Sequence, residues 1–417
     1  MLKKLIGLLM LLSLYSCTKS DVTEALDNNQ IGNEFNQFRN LKIPSASKLS
    51  FNHLEMKKAM NANRNTNSND ESGCITSLHT QSQQFDKLSV IDPTSDILYA
   101  GSLFNGNTIQ TGEYIPIFFS EDYVRKPITI SVSIQGSSGI VAKTIEPSLS
   151  NYRTAMQEIT NAEINGEQPA AFTFEVKKVR SKREMVMHIG AALNVGSNLF
   201  TSKFDFNENS VSTRNFYLLK IYQKFYSVDI NIPQDGNLFN KPANYQSNVA
   251  PVYVSGIDYG RSAYLLIESA YDSTRVEKAL KTTFDFWKVD GGADISKEVK
   301  DVTDEMTISG TAIGGSSTLA SETINGLESF HNYVTKSGNL TPNSRGAIIA
   351  YRMRNAQNHA IYNTVISGDY YVRDCSGAKR LLYDFYNPSY GHRYTIDSRY
   401  AIDRPGQGWI RIINDPI

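Results

Sequence analysis

Three cysteines, six histidines and scattered carboxylates are the residues of this 417-residue chain that could break bonds or hold a metal ion. The histidines stand at 53, 79, 188, 331, 359 and 392, with no metal-ligand spacing among them. No Gly-x-Ser-x-Gly elbow, no Gly-x-x-x-x-Gly-Lys phosphate loop, no His-Glu-x-x-His pair and no Cys-x-x-Cys occurs. Triads assemble in space and leave no trace in one sequence. Within that limit the chain does not read as an enzyme, and no cofactor or metal is expected.

The thiols carry what chemistry remains. Lys3 and Lys4 precede an apolar run from Leu5 to Leu14, then Tyr15-Ser16-Cys17. A basic start, a short greasy stretch and a small residue before the cut describe an export signal over residues 1–17. The run is too short to remain as a spanning helix. Leu14, two intervening residues and then Cys17 resemble a lipoprotein box, which implies that Cys17 becomes the lipidated first residue of the mature protein. A plain secretory signal with an incidental cysteine is the alternative. The lipidated reading places the protein outside the cell, on a bacterial outer membrane or surface, or released from it. Export to an oxidising space also permits a disulfide between Cys74 and Cys375.

The elements that would position any site are rich in strands. Tyr at 23 and Phe at 19 favour sheet. Lys plus Arg and Asp plus Glu are each 42, so net charge gives no reason to bind nucleic acid. Residues 18–84 read as a polar tether, with Asn61–Asp70 low in complexity and a short helix fitting Leu54–Met60. Order is expected from about Phe85. Ile128, Ile130, Val132 and Ile134 alternate with polar residues, as a half-buried strand does. Ala171–Val176, Val252–Ile257, Ser262–Glu268, Arg345–Arg352 and Ala360–Val365 continue the strands, with Asp258–Arg261 read as a turn. Ser148–Ile164, Thr274–Phe286 and Ser321–Thr335 fit helices. The sum is an α+β plan.

Several segments, in order, resemble the cholesterol-dependent (thiol-activated) cytolysins. Ala250–Ser269 resembles the family's signature strand pair, and Asp96–Leu103 its early "YPGAL" segment. Arg125–Ile130 resembles the next strand, Ile189–Val195 the entry to its first membrane-inserting region and Lys220–Asp229 the exit. Gly310–Gly315 resembles a Val-Leu-Gly-Gly piece after the second. The resemblance implies a MACPF/cytolysin-like core over residues 85–370. A bent central antiparallel sheet would be flanked by two helical clusters that convert to transmembrane β-hairpins, over about 193–228 and 280–313. It further implies a lipid membrane as target and a homo-oligomeric ring. The candidate insertion residues are Val195, Leu199, Phe204, Phe206, Phe216, Leu218, Met306 and Ile308, and Gly314 and Gly315 are a candidate hinge. Without the resemblance, both regions read as ordinary amphipathic helices.

The chain departs from the family at its end. The Trp-rich undecapeptide and the cholesterol-binding Thr-Leu pair are missing, and only Trp287 and Trp409 occur. This matches short, Bacteroidota-type cytolysin-like relatives, which would bring in a longer paralogue as partner. Residues 371–417 form an aromatic-rich module, read either as a small β cap or as a glycan- or protein-contacting surface. Lys177–Arg183 is basic, either a solvated face or a protease site. A non-lytic surface lipoprotein on the same scaffold is the rival reading.

Overall fold

The computed structural model describes residues 38, 40–44, 47–50, 75–111, 113–117, 125–134, 136, 138–170, 172–190, 214–240, 245, 247–288, 296–314, 321–335, 338–374, 381–389, 391–395 and 410–416. Its strands are β1 (Ser47–Ser50), β2 (Ile75–Phe85), β3 (Leu88–Ser89), β4 (Leu103–Phe104), β5 (Ile128–Val132), β6 (Ala142–Ile145), β7 (Phe172–Val179) and β8 (Asn215–Asn231). They continue as β9 (Val252–Ser269), β10 (Thr307–Ile313), β11 (Ser321–Asn325), β12 (Ala347–Asn355), β13 (Thr364–Asp374), β14 (Leu381–Asn387), β15 (Gly391–Thr395) and β16 (Ile410–Pro416). The helices are α1 (Gly106–Thr111), α2 (Leu149–Glu163), α3 (Lys182–Ile189), α4 (Ser273–Lys288), α5 (Lys297–Glu305) and α6 (Gly326–Thr335).

β8 and β9 form the spine, paired antiparallel from Asn215↔Ser269 to Asp229↔Gly256. Both faces of their upper half are covered, so burial is continuous along them instead of alternating. Tyr217, Leu219, Ile221, Ala263, Leu265 and Ile267 pack under α4, α5 and α6. Phe216, Leu218, Tyr264 and Leu266 pack on the opposite face with Met185, Val186 and Ile189 of α3. Each such fully buried Leu, Ile or Phe contributes roughly 1.5–3 kcal/mol.

The sheet changes partners half-way. Above the change, β7 pairs with β8 and β10 with β9, and β11 closes the edge on β10. Below it, β5 takes the outer side of β8 and β12 that of β9, with β6 on β5 and β3 on β12. The change falls at Gly260, opposite a β8 bulge between Lys224 and Tyr226. A Cβ on Gly260 would lie 2.1 Å from the Gln223 carbonyl oxygen. Gly314 (φ +70), where β10 ends, and Gly346 (φ +76), before β12, close on the same point. A Cβ on Gly314 would lie 2.4 Å from Gly260 O, and one on Gly346 would lie 2.7 Å from Gly260 N. Four backbones, those of β8 and β9 and the ends of β10 and β12, meet where no side chain fits.

This corrects the sequence expectation of two strands joined by a turn at Asp258–Arg261. The glycine there marks a close approach inside one continuous strand. Beside it the Tyr259 and Tyr226 rings stack, 5.1 Å apart and 14° from parallel. Ser321–Thr335 is also corrected, being β11 followed by α6, with Gly326 at φ +80 making the break.

A separate sheet of order β1–β13–β2 rests on α3 through Met187, Ile366, Tyr370 and Val372. β2 lies inside the region expected as a tether, and Phe38 sits in the lower core, 5.6 Å from Phe239. The expected boundary at 84 is therefore too late, and that at 370 cuts β13. The pattern missed β2 because Ile-Thr-Ser-Leu-His-Thr-Gln-Ser-Gln-Gln-Phe, which among the described residues pairs only with β13, lies half in solvent and shows no apolar alternation. A small sheet of order β15–β14–β16 follows at the C-terminal end. Residues 1–17 with Cys17, the 54–60 helix, Cys74 and Cys375 lie outside the described residues.

Gly260→Ala is expected to cost about 2–4 kcal/mol, since backbone and not a flexible side chain must move. A denaturant titration checks it; an unchanged midpoint would remove Gly260 as the fixed point of the sheet.

Candidate functional site

Four adjacent strands, β7, β8, β9 and β10, end together at one end of the spine. Val179 pairs with Phe216, Phe216 with Glu268, and Glu268 with Thr307. Two long connections leave from this common end. Residues 180–214 join β7 to β8, and residues 270–306 join β9 to β10.

The first connection begins with α3, capped by Ser181, whose Oγ accepts the Glu184 amide at 3.1 Å. α3 is held by buried polar contacts. Tyr370 OH of β13 donates to Glu184 Oε1 at 3.3 Å, and the Arg180 amide donates to Glu184 Oε2 at 2.7 Å. Lys220 of β8 donates to the His188 carbonyl at 3.0 Å and pairs with Glu175 at 2.6 Å. The His188 ring is largely enclosed. Burial pulls its pKa below the ordinary value; Lys177 and Lys220 push the same way, while Glu184 and Glu175 oppose.

The second connection begins with α4, whose Val276, Ala279, Leu280 and Phe284 lie against the sheet. Phe284 meets Phe174 at 4.8 Å and Phe172 and Phe330 at 5.4 Å each, edge to face. α5 adds Val299 and Val302. α6 is pinned to β9 by Arg261, 1% exposed, whose guanidinium sits 4.2 Å over the Tyr333 ring and donates to the Tyr333 carbonyl.

The sequence-predicted residues divide between these parts. Val195, Leu199, Phe204, Phe206 and Gly315 lie outside the described residues. Phe216 and Leu218 are core residues of β8 facing α3. Met306 and Ile308 belong to the opposite face, under α4 and α5. The structure thus does not bring these four together, and it places them in the sheet and at its margin instead of within the expected helical clusters. Gly314 stands at the end of β10, at the change of sheet partners. Lys220, Glu184, His188 and Arg261 were missed as positioning residues, because nothing local distinguishes a buried charge from a surface one. Among the described residues no cluster could hold a metal ion, and no helix is long and apolar enough to cross a membrane.

The model of the thiol-activated cytolysins matches residues 39–374. The chain belongs to that family. Tetanolysin of Clostridium tetani is 25% identical over 283 residues, covering 63% of this chain and 51% of the toxin. Perfringolysin O of Clostridium perfringens is 24% identical over 245 residues, covering 55% of this chain and 47% of the toxin. The chain thus spans about half the length of these relatives. Non-hemolytic pneumolysin of Streptococcus pneumoniae superposes with TM-score 0.60 at 19% identity, covering 77% of this chain and 73% of that one. Human-specific intermedilysin superposes with TM-score 0.58 at 22% identity, covering 77% and 74%. These structures establish a cytolysin fold, with the mixed α and β plan expected from sequence.

His188 gives a pH prediction. Its folded pKa lies below the ordinary 6.5, so the unfolded chain takes up the proton first as pH falls. The stability that neutral His188 contributes is complete above that value and declines as pH falls through it. Melting curves above and below this pH are expected to show a larger loss for the wild type than for His188→Gln. Equal losses would mean that the ring titrates freely.

Proposed function

We propose that this chain is a pore-forming toxin that assembles side by side on a target membrane and inserts a β-barrel. The common exit of the two connections carries the reading. A tilted spanning strand needs about ten residues. Residues 180–214 and 270–306 each hold enough chain for two such strands, leaving from strands already paired in register. Extending all four past this end gives two hairpins per copy, and closure into a ring leaves no open edge in lipid.

The sheet edges support assembly. Among the described residues β7 pairs only with β8, while β10 is covered by the short β11. Lifting β11 at the link after Ile313, with Gly314 and Gly315 as hinge, would open β10 to β7 of the next copy. Val195, Leu199, Phe204 and Phe206 then belong to the inserted part. Phe216, Leu218, Met306 and Ile308 belong to its root.

A lipid on Cys17 would hold the exported protein on the producing cell or help it meet a target. Without the cholesterol motif, a competing bacterium is the favoured target, reached with a longer paralogue or after a protease cuts. The residues that follow β13 would serve as the cap that such a cut removes.

Dye release from vesicles by the chain starting at residue 18 tests the reading. It would be run alone, after limited trypsin and with a longer paralogue, on bacterial and on cholesterol-rich lipids. Release with ring-shaped oligomers is expected under at least one condition. Phe204→Asp with Phe206→Asp should cut release at least about tenfold while vesicle binding persists. No release under any condition would leave the non-lytic surface lipoprotein.

A further inference from the structure

At the common exit, the ends of both connections are tied by one cluster of charges. Arg214 is the last residue of the first connection, and Glu305 closes α5 near the end of the second. Arg214 Nη2 donates to Glu305 Oε1 at 2.5 Å. Its Nε lies 2.7 Å from Glu268 Oε1, an ion pair whose N–H points off the line to the oxygen. The other Glu305 oxygen, Oε2, accepts Ser269 Oγ at 2.6 Å. Glu305 Oε1 also accepts the Ala270 amide at 3.0 Å. All three charged side chains are roughly one-quarter exposed, at 30%, 22% and 26% for Arg214, Glu268 and Glu305.

Register gives this cluster a meaning beyond packing. Asn215 pairs with Ser269, and Glu268 with Thr307. Continuing the β8–β9 ladder by one residue and the β9–β10 ladder by two puts Arg214, Ala270 and Glu305 in one row across β8, β9 and β10. In that row the outer two residues would stand two strand spacings apart, about 9.5 Å. Side chains in such a row stand perpendicular to the sheet, so the Glu305 carboxylate could no longer accept the Ala270 amide, which a ladder turns in plane toward a neighbouring strand. The Ala270 amide, the first past the end of β9, is meanwhile occupied by the Glu305 carboxylate and not by a neighbouring strand.

We propose that Arg214 and Glu305 form the coupling clasp of insertion: they stop the β8–β9–β10 ladder at its present end and make the two connections release as one. The carboxylate takes the amide that ladder growth would need, and the guanidinium binds that carboxylate to the exit of the first connection. Neither connection can extend without breaking the contact that restrains the other. The role in insertion rests on the pore-forming reading; the restraint of α5 by Arg214 does not.

Hydrogen exchange on the chain starting at residue 18, without vesicles, tests the restraint. Arg214→Ala is expected to speed exchange of the Ala270 and Tyr271 amides and of α5 about three- to fivefold, although α5 is far from Arg214 in sequence. Glu305→Gln should do the same, and the double variant should not exceed the larger single effect, because both act through one contact. Unchanged α5 exchange in Arg214→Ala, or fully additive effects, would overturn the clasp. Dye release then tests the coupling. Where the wild type releases dye, Arg214→Ala should shorten the lag by a similar factor, and an unchanged lag with loosened α5 would remove the clasp from insertion. If the wild type releases none, the pore reading fails and the exchange result alone decides the restraint.

Discussion

The pairing of β8 with β9 is the constraint on which the other elements depend. Two strands that long twist, and a flat continuation would carry the upper and lower cores apart. The chain resolves this at one point, where Gly260 passes the β8 bulge and the ends of β10 and β12. Glycine is required there by contact distance, since the nearest obstacles are main-chain atoms. Because β9 changes its outer partner at that point, the upper half owes its edge to β10 and β11, and the lower half to β12. The upper edge can therefore be remodelled without unpicking the lower core.

The two halves are stabilised differently. The lower core draws on residues from Phe38 to Tyr362, so many distant segments interlock there. The upper core is closed by α4, α5 and α6 on one face and by α3 on the other. Those helices lie against the sheet through a few apolar residues each, supplemented by local ties such as Lys220 to His188 O and Arg261 to Tyr333. Elements held by few apolar contacts open at lower free energy than an interlocked core. The covers of the strand exit are thus the part of this molecule most easily displaced.

Between residues 85 and 370 the fold was legible where strands and helices keep their periods. Ile128, Ile130 and Val132 alternate as read, and α2 falls within one residue of its expected span at either end. The site was less legible. Phe216 and Leu218 look like insertion residues because they are apolar and follow a polar stretch, yet in this state they are sheet core. Composition cannot tell a residue that is buried now from one buried only later. Gly260 read as a turn because glycine marks turns and close approaches alike. Arg214, Glu268 and Glu305 carried no signal, since their significance lies in register between strands far apart in sequence.

α4 shows how one segment can suit two environments. Val276, Leu280 and Phe284 recur every fourth residue, which keeps them on one face of a helix and also on one face of a strand. In the helix that face lies against Phe172, Phe174 and Phe330. In a strand the same residues, joined by Phe286, would share a side, while Glu277, Lys281 and Asp285 would take the other. That is the division a barrel wall needs between lipid and water. Like Lys288 at the end of α4, Lys278 is an exception, since it would fall on the apolar side. In the proposed barrel its long stem would carry the charge to water near a membrane interface, which would put position 278 toward an end of the strand and not its middle.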